Sequence, residues 1–168
     1  HIPAYINNPN TDLVAVYDSS VEKGEKIEEE YGVKAYKNLS EMLMHPGLEA
    51  VSVCTPEMTH RDIVIEALKS GKHVLCEKAF ASNTREVDAM IKAAKENDVV
   101  LMEAMKTTLL PNFRVIKENL HKIGKVRKYF ASYCQYSSRY DKYKAGEVLN
   151  AFKNELSNGS LMDIGCLL

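Results

Sequence analysis

The sharpest chemical signal in this sequence is the pair Glu77-Lys78, which follows the apolar run His73-Val-Leu-Cys76. An adjacent acid and base at the end of a buried strand is a costly place for two charges unless they are paired or used. A lysine in a partly desolvated pocket can serve as acid, base or electrostatic clamp. A solvated pair at a strand end is the plainer reading, and spacing alone leaves both open. Asp18 follows another apolar run, Leu13-Val-Ala-Val-Tyr17. An acid at that position of a dinucleotide-binding fold accepts hydrogen bonds from ribose hydroxyls and repels a 2′-phosphate. Asp-Ser-Ser is equally a strand end and helix cap. Thr55-Pro56 closes a third run, Ala50-Val-Ser-Val-Cys54, and His60 opens the following helix. Strand carboxyl ends are where open α/β sheets bind ligands. Taken alone, Pro56 simply stops a strand and His60 is a solvated first-turn residue.

These residues must be positioned by regular elements, and the alternation of patterns supplies them. Ile2 to Asn8 reads as the end of a helix broken at Pro9. Strands are predicted over Leu13–Tyr17, Lys34–Tyr36, Ala50–Cys54, His73–Cys76 and Val99–Met102. Helices are predicted over Val21–Tyr31, from Asn38 to about His45, over Thr59–Ser70 and over Thr84–Asn97. Gly32 and Gly71 close two of them as left-handed residues, and Asn38 with Glu41 forms a capping box. In Thr84–Asn97 the spacing puts Val87, Met90, Ile91 and Ala94 on the buried face. Such alternation is the pattern of an α/β fold, a parallel sheet with helices on both faces. After about Met105 the rhythm changes. Pro111–Leu120 is a helix, and Lys125–Ser137 reads as a longer strand in a mostly antiparallel sheet. Tyr136–Glu155 is an irregular aromatic loop, and its neighbourhood from Tyr133 to Tyr143, with Gln135 and Arg139, suits a substrate wall, a subunit contact or a packed sheet edge. The boundary divides the chain into 1–106, a nucleotide-binding α/β domain, and 107–168, the start of an α+β domain.

The bulk properties narrow the classes. The chain has 168 residues, 45% hydrophobic and 27% charged, with a formal net charge of −1. That apolar fraction can bury a core, and the charge offers no case for nucleic acid or an anionic membrane. Apolar stretches such as Val99–Met102 fall far short of the about 20 residues a spanning helix needs. Cys54, Cys76, Cys134 and Cys166 form no CxxC pair, so neither a disulfide framework nor a zinc site is expected, and no metal is assigned. Cys54 and Cys76 read as buried free thiols, and a reduced cytoplasm suits all four. No two of the eight glycines are separated by a single residue, so the chain holds neither GxGxxG nor a P-loop.

The run Cys54-Thr-Pro-Glu-Met-Thr-His60, followed by Ala67-Leu-Lys-Ser-Gly-Lys-His-Val-Leu-Cys-Glu-Lys78, resembles the Gfo/Idh/MocA oxidoreductases, whose pattern there is a TP turn, then GKHV and EKP. Glu103-Ala-Met and Gly159-Ser-Leu-Met-Asp-Ile-Gly165 resemble the end of that family's nucleotide-binding domain and the entry to a helix of its second domain. The resemblance runs from about Ile2 to Cys166. It implies a Rossmann domain binding NAD, with NADP possible, and hydride transfer to or from a carbinol of a sugar, cyclitol or cyclic diol. It implies that Lys78 is the active-site lysine and that Asp163 binds and orients substrate. Thr55, Pro56, His60 and Glu77 would line the cofactor site, with Asp18 at the ribose position favouring NAD. It also implies a homo-oligomer, a dimer or tetramer, in the cytoplasm.

Three departures qualify the pattern. Ala79 stands where the family has proline, and Leu167 where many members have a catalytic histidine or tyrosine. The family's first strand and glycine loop are absent, since His1 to Asn10 matches the helix that follows them. The chain is therefore expected to be an incomplete portion of its parent and inactive alone. The rival readings are a non-catalytic nucleotide-binding or structural relative, which Ala79 and Leu167 favour, and an inactive truncated fragment.

Overall fold

A computed structural model describes residues 1–153, 157 and 159–165. Helix α1 (Ile2–Ile6) leads to β1 (Ala15–Tyr17), α2 (Val21–Tyr31), β2 (Lys34–Tyr36) and α3 (Leu39–Leu43). Then follow β3 (Ala50–Val53), α4 (His60–Lys69), β4 (His73–Cys76), α5 (Thr84–Glu96) and β5 (Leu101–Glu103). Three helices, α6 (Pro111–Asn119), α7 (Tyr140–Lys144) and α8 (Ser160–Asp163), complete the order.

Local signals account for the helix ends. Gly32 ends α2 at φ 67°, a left-handed conformation that costs a residue without Cβ little. The side chains of Asn38 and Asn83 accept the amides of Glu41 and Glu86, giving α3 and α5 their caps. Before α2 the Asp18 Oδ1 accepts the Ser20 amide at 2.8 Å in a tight turn, while the N-cap residue Ser20 makes no side-chain cap bond.

All strand pairing is parallel. β1 pairs with β2, and β3, β4 and β5 form a second sheet in that order. Val64, Ala67 and Leu68 of α4 and Met90 of α5 are fully buried against Val51, Val53, Val74 and Cys76 of this second sheet. Burying a side chain the size of Leu68 contributes about 1.5–3 kcal/mol. Among the described residues no strand joins the two sheets. The edges of β1 and β3 face each other across a cavity of about 890 Å³ lined by Leu13 to Asp18 and Glu49 to Thr55.

Four expectations are corrected. Lys125–Ser137 contains no strand: an extended segment holds its ladder only against a neighbour, and no described strand lies beside it. The sheets present are parallel, and no antiparallel sheet follows them among the described residues. Ile91 is 39% exposed and Ala93 takes its place in the core, because α5 packs chiefly on α4, which rotates its buried face by part of a turn. Cys54 is exposed, since β3 ends one residue earlier and the chain turns outward there.

Candidate active site

The parallel register of β3, β4 and β5 brings their carboxyl ends to one side of the sheet. The Glu77 amide donates to Val53 O at 2.9 Å and the Ala104 amide to Cys76 O at 2.8 Å, so the ladder continues to where Glu77 and Lys78 emerge. Lys78 reaches Asp163, the last residue of α8 and 85 positions later, where its Nζ donates to Asp163 O at 2.6 Å. The same Nζ forms an ion pair with Asp163 Oδ1. The two side chains are 21% and 31% exposed, which is dry enough to sharpen their attraction and open enough for a ligand to reach them. Arg139 Nη1 stands 3.8 Å from the other carboxylate oxygen, so two cations flank Asp163. The sequence placed Arg139 in an aromatic segment without linking it to Asp163, because nothing in the spacing reveals that the loop folds back.

Beyond Lys78 the chain turns sharply through a cis Lys78–Ala79 peptide. Two side chains from other elements hold this turn. His60 is fully buried, with Nδ1 2.9 Å from Ala79 O and 3.3 Å from Phe80 O, and Nε2 2.8 Å from Thr55 O. Glu103, at the end of β5, accepts the Phe80 amide at 3.0 Å. His60 is thus not the solvated first-turn residue that position alone suggests, and its bearing on the site runs through the two backbone segments it joins. Glu103 was missed as a site residue. Its signal was the one that singled out Glu77, a carboxylate at the end of an apolar strand.

The other residues singled out by sequence lie along the same rim. Asp18 ends β1 and faces the cavity, as does Thr55 after β3. The Thr55 hydroxyl accepts from Thr59 Oγ1 at 2.8 Å, and Pro56 leads into the short turn Glu57–Thr59 before α4. Glu77 Oε2 accepts the Lys78 amide at 3.1 Å, and its Oε1 is 2.6 Å from His1 Nε2. The geometry brings Lys78, Asp163 and Arg139 together with Glu77 beside Lys78, and it places Asp18 and Thr55 on the lining of the cavity.

The chemistry of these groups fits the two ends of a dinucleotide. Asp18 is a carboxylate acceptor at a helix entrance, suited to sugar hydroxyls, and Thr55 and Lys78 carry hydrogen-bond donors. The middle is not represented: no closely spaced glycines are present to wrap a pyrophosphate. Among the described residues no group of His, Cys, Asp or Glu could hold a metal ion, and no helix is long and apolar enough to cross a membrane.

The cysteines near the site give a direct test of its interior. Burial, with Glu103 next in importance, pushes the Cys76 thiol up to about 12. Cys54 is exposed, yet the protein around its sulfur partly desolvates the thiol and raises it, against the opposing hydrogen bond from Ser52. Because the thiolate is the reactive form, raising the pKa slows reaction at neutral pH. Mass spectrometry after timed iodoacetamide exposure at pH 8 is expected to find Cys134 alkylated first, Cys54 later and Cys76 only after denaturation.

Residues 1–105 match the model of an oxidoreductase family with an NAD-binding Rossmann fold. The chain is 56% identical over 154 residues to the scyllo-inositol 2-dehydrogenase (NADP(+)) of Bacillus subtilis, a match covering 91% of this chain and 47% of that protein. It is 32% identical over 157 residues to the trans-1,2-dihydrobenzene-1,2-diol dehydrogenase of Xenopus tropicalis, covering 92% of this chain and 45% of the relative. Among solved structures it resembles a 3-ketoreductase from Actinomadura kijaniata in complex with NADP and TDP-benzene, with a TM-score of 0.67 and 25% identity over 72% of this chain and 37% of that one. The chain therefore spans about half the length of the curated relatives it matches.

Proposed function

This chain belongs to the Gfo/Idh/MocA oxidoreductase family, with its NAD-binding Rossmann fold, and on that premise we propose that it is part of an enzyme moving a hydride between NAD(P) and a carbinol of a sugar, cyclitol or cyclic diol. The observation that carries this reading is the meeting of Lys78 and Asp163, which brings a lysine at a strand end of the nucleotide-binding half against an aspartate 85 residues away. The relatives named for inositol and dihydrodiol substrates support the substrate class. Residues 1–106 form the nucleotide-binding domain and 107–168 begin the substrate domain. The parent is a homo-oligomer of the cytoplasm.

The geometry supports the following division of labour. The nicotinamide ring, when bound, supplies or accepts the hydride. Lys78 Nζ donates a hydrogen bond to the reacting oxygen and stabilises the charge that develops there, an effect largest in a site that excludes water. Asp163 holds the Lys78 ammonium in place and accepts from a neighbouring substrate hydroxyl. Arg139 neutralises Asp163 from its other side. Glu77, Thr55 and Pro56 shape the nicotinamide end and Asp18 binds the adenosine ribose. The slot between β1 and β3 is filled in the parent by a further parallel strand with the glycine loop at its end, which pairs both exposed edges.

Asp18 bears on the choice between NAD and NADP. Its carboxylate repels a 2′-phosphate and so favours NAD, whereas the Bacillus relative is named for NADP(+). Asp18→Ala in the complete parent is expected to tighten NADP binding about tenfold relative to NAD, the effect of removing one unfavourable charge interaction of about 1.4 kcal/mol. Titration of both cofactors checks this, and an unchanged ratio removes Asp18 from the ribose site.

A second reading is favoured by Leu167, which lies outside the described residues and carries no proton to transfer. On that reading the parent binds the cofactor without turning it over. Following NAD(P)H absorbance with a panel of inositols, aldoses and cyclic diols separates the two. Substrate-dependent reduction is expected, and saturable binding with no reduction of any diol selects the second reading.

A further inference from the structure

We infer that His60 is a positioning residue for Lys78, a charged ring that donates from both nitrogens and locks the turn after β4 to the turn after β3. The inference rests on the reading of Lys78 as the catalytic lysine and adds how that lysine is held. A carbonyl oxygen only accepts, and both ring nitrogens of His60 face carbonyls, at 2.9 Å from Ala79 and 2.8 Å from Thr55. A neutral imidazole has one N–H and one lone pair, so it satisfies one of these contacts and repels at the other. Only the imidazolium carries N–H at both positions.

Burial sharpens the point, because the ring is fully enclosed and no solvent proton donor can reach between it and either carbonyl. The cost of enclosing the charge is offset by bonds to three carbonyl dipoles, Phe80 O being the third at 3.3 Å. Charged groups stand on every neighbouring segment: Glu77 and Lys78 after β4, Glu103 at the end of β5, Glu86 in the first turn of α5, and Glu57, Arg61 and Asp62 beside the ring in sequence. Of these, Glu103 completes the arrangement, holding the Phe80 amide from the opposite side.

The consequence lies in reach. Ala79 and Phe80 follow Lys78 directly, so the backbone from which Lys78 extends is tied through its carbonyls to α4 and through an amide to β5. Thr55 is tied to the same ring, so the proposed cofactor rim and the lysine move as one piece. A displacement of about 1 Å in a reacting group costs on the order of a hundredfold in rate, and removing the ring frees the turn by distances of that order.

The test uses the complete parent protein and two kinds of readout. In nitrogen-15 spectra of the unmodified protein at neutral pH, without cofactor, both His60 ring nitrogens are expected to carry protons. A His60 ring with one bare nitrogen overturns the inference without touching the role of Lys78. In kinetics, His60→Ala is expected to lower kcat about ten- to a hundredfold while the Kd for NADH stays within about threefold. His60→Gln, whose amide can donate to one carbonyl, is expected to recover part of the loss. A His60→Ala enzyme with unchanged kcat, alongside an inactive Lys78→Ala enzyme, overturns the inference alone. A Lys78→Ala enzyme with normal turnover overturns the underlying reading and this inference with it. If His60→Ala does not fold, the protonation of the unmodified ring decides.

Discussion

Replacing Lys78 by alanine in the complete parent protein is expected to lower kcat about a thousandfold while leaving cofactor affinity within a few-fold of the original. The expectation follows from where the side chain sits and what it can donate. Lys78 leaves the sheet at the carboxyl end of β4 and is largely screened from solvent. Its ammonium is engaged with Asp163, and Asp18 is not among its contacts, so the adenosine end of a cofactor is not expected to register its loss. A donor aimed at a developing oxyanion is worth about a hundred- to a thousandfold, and a proton-transferring group up to about ten-thousandfold. Steady-state turnover and a binding titration on the same preparation distinguish the outcomes. Equal losses in both would make Lys78 a binding residue.

The second large effect is expected at Asp163. Asp163→Asn keeps the shape of the side chain and removes its charge, leaving Lys78 and Arg139 facing a neutral amide. A hydrogen bond to a charged group is worth about 1.5–3 kcal/mol, so kcat is expected to fall about ten- to a hundredfold, with KM for the diol rising as the carboxylate acceptor is lost. The double variant Lys78→Ala with Asp163→Asn is expected to be little worse than Lys78→Ala alone, because the two residues act as a pair. Fully multiplicative losses would show that Asp163 works independently of the lysine.

Much of this site was legible before any coordinates. Strand β4 and helix α2 occupy the residues that pattern predicted, since a short apolar run bounded by turn signals and a helix closed by glycine carry their own limits. Glu77 and Lys78 stand out as candidates because charge at the end of a buried strand is costly. What could not be read was any property created by distant segments. His60 looked solvated because its own turn is polar, and it is buried because the chain returns 19 residues later to cover it. Arg139 looked like part of an aromatic loop, and its meeting with Asp163 depends on how that loop closes. Lys125–Ser137 has strand-forming residues and no strand, since propensity in a sheet is realised through a partner. The facing edges of β1 and β3 belong to the same class: each strand is well patterned, yet pairing is a property of two strands.

The break between the two sheets and the position of Lys78 lead to the same protein. If a further strand with a glycine loop enters the slot beside Asp18 and Thr55, it completes a dinucleotide site whose reactive end lies at Lys78. The most direct measurement is a fluorescence titration of the complete parent protein with NADH and NADPH. Saturable enhancement of the nicotinamide emission, displaced by the corresponding oxidised cofactor, is the expected result. Absence of saturable binding by both cofactors, in protein shown by calorimetry to be folded, would contradict the account.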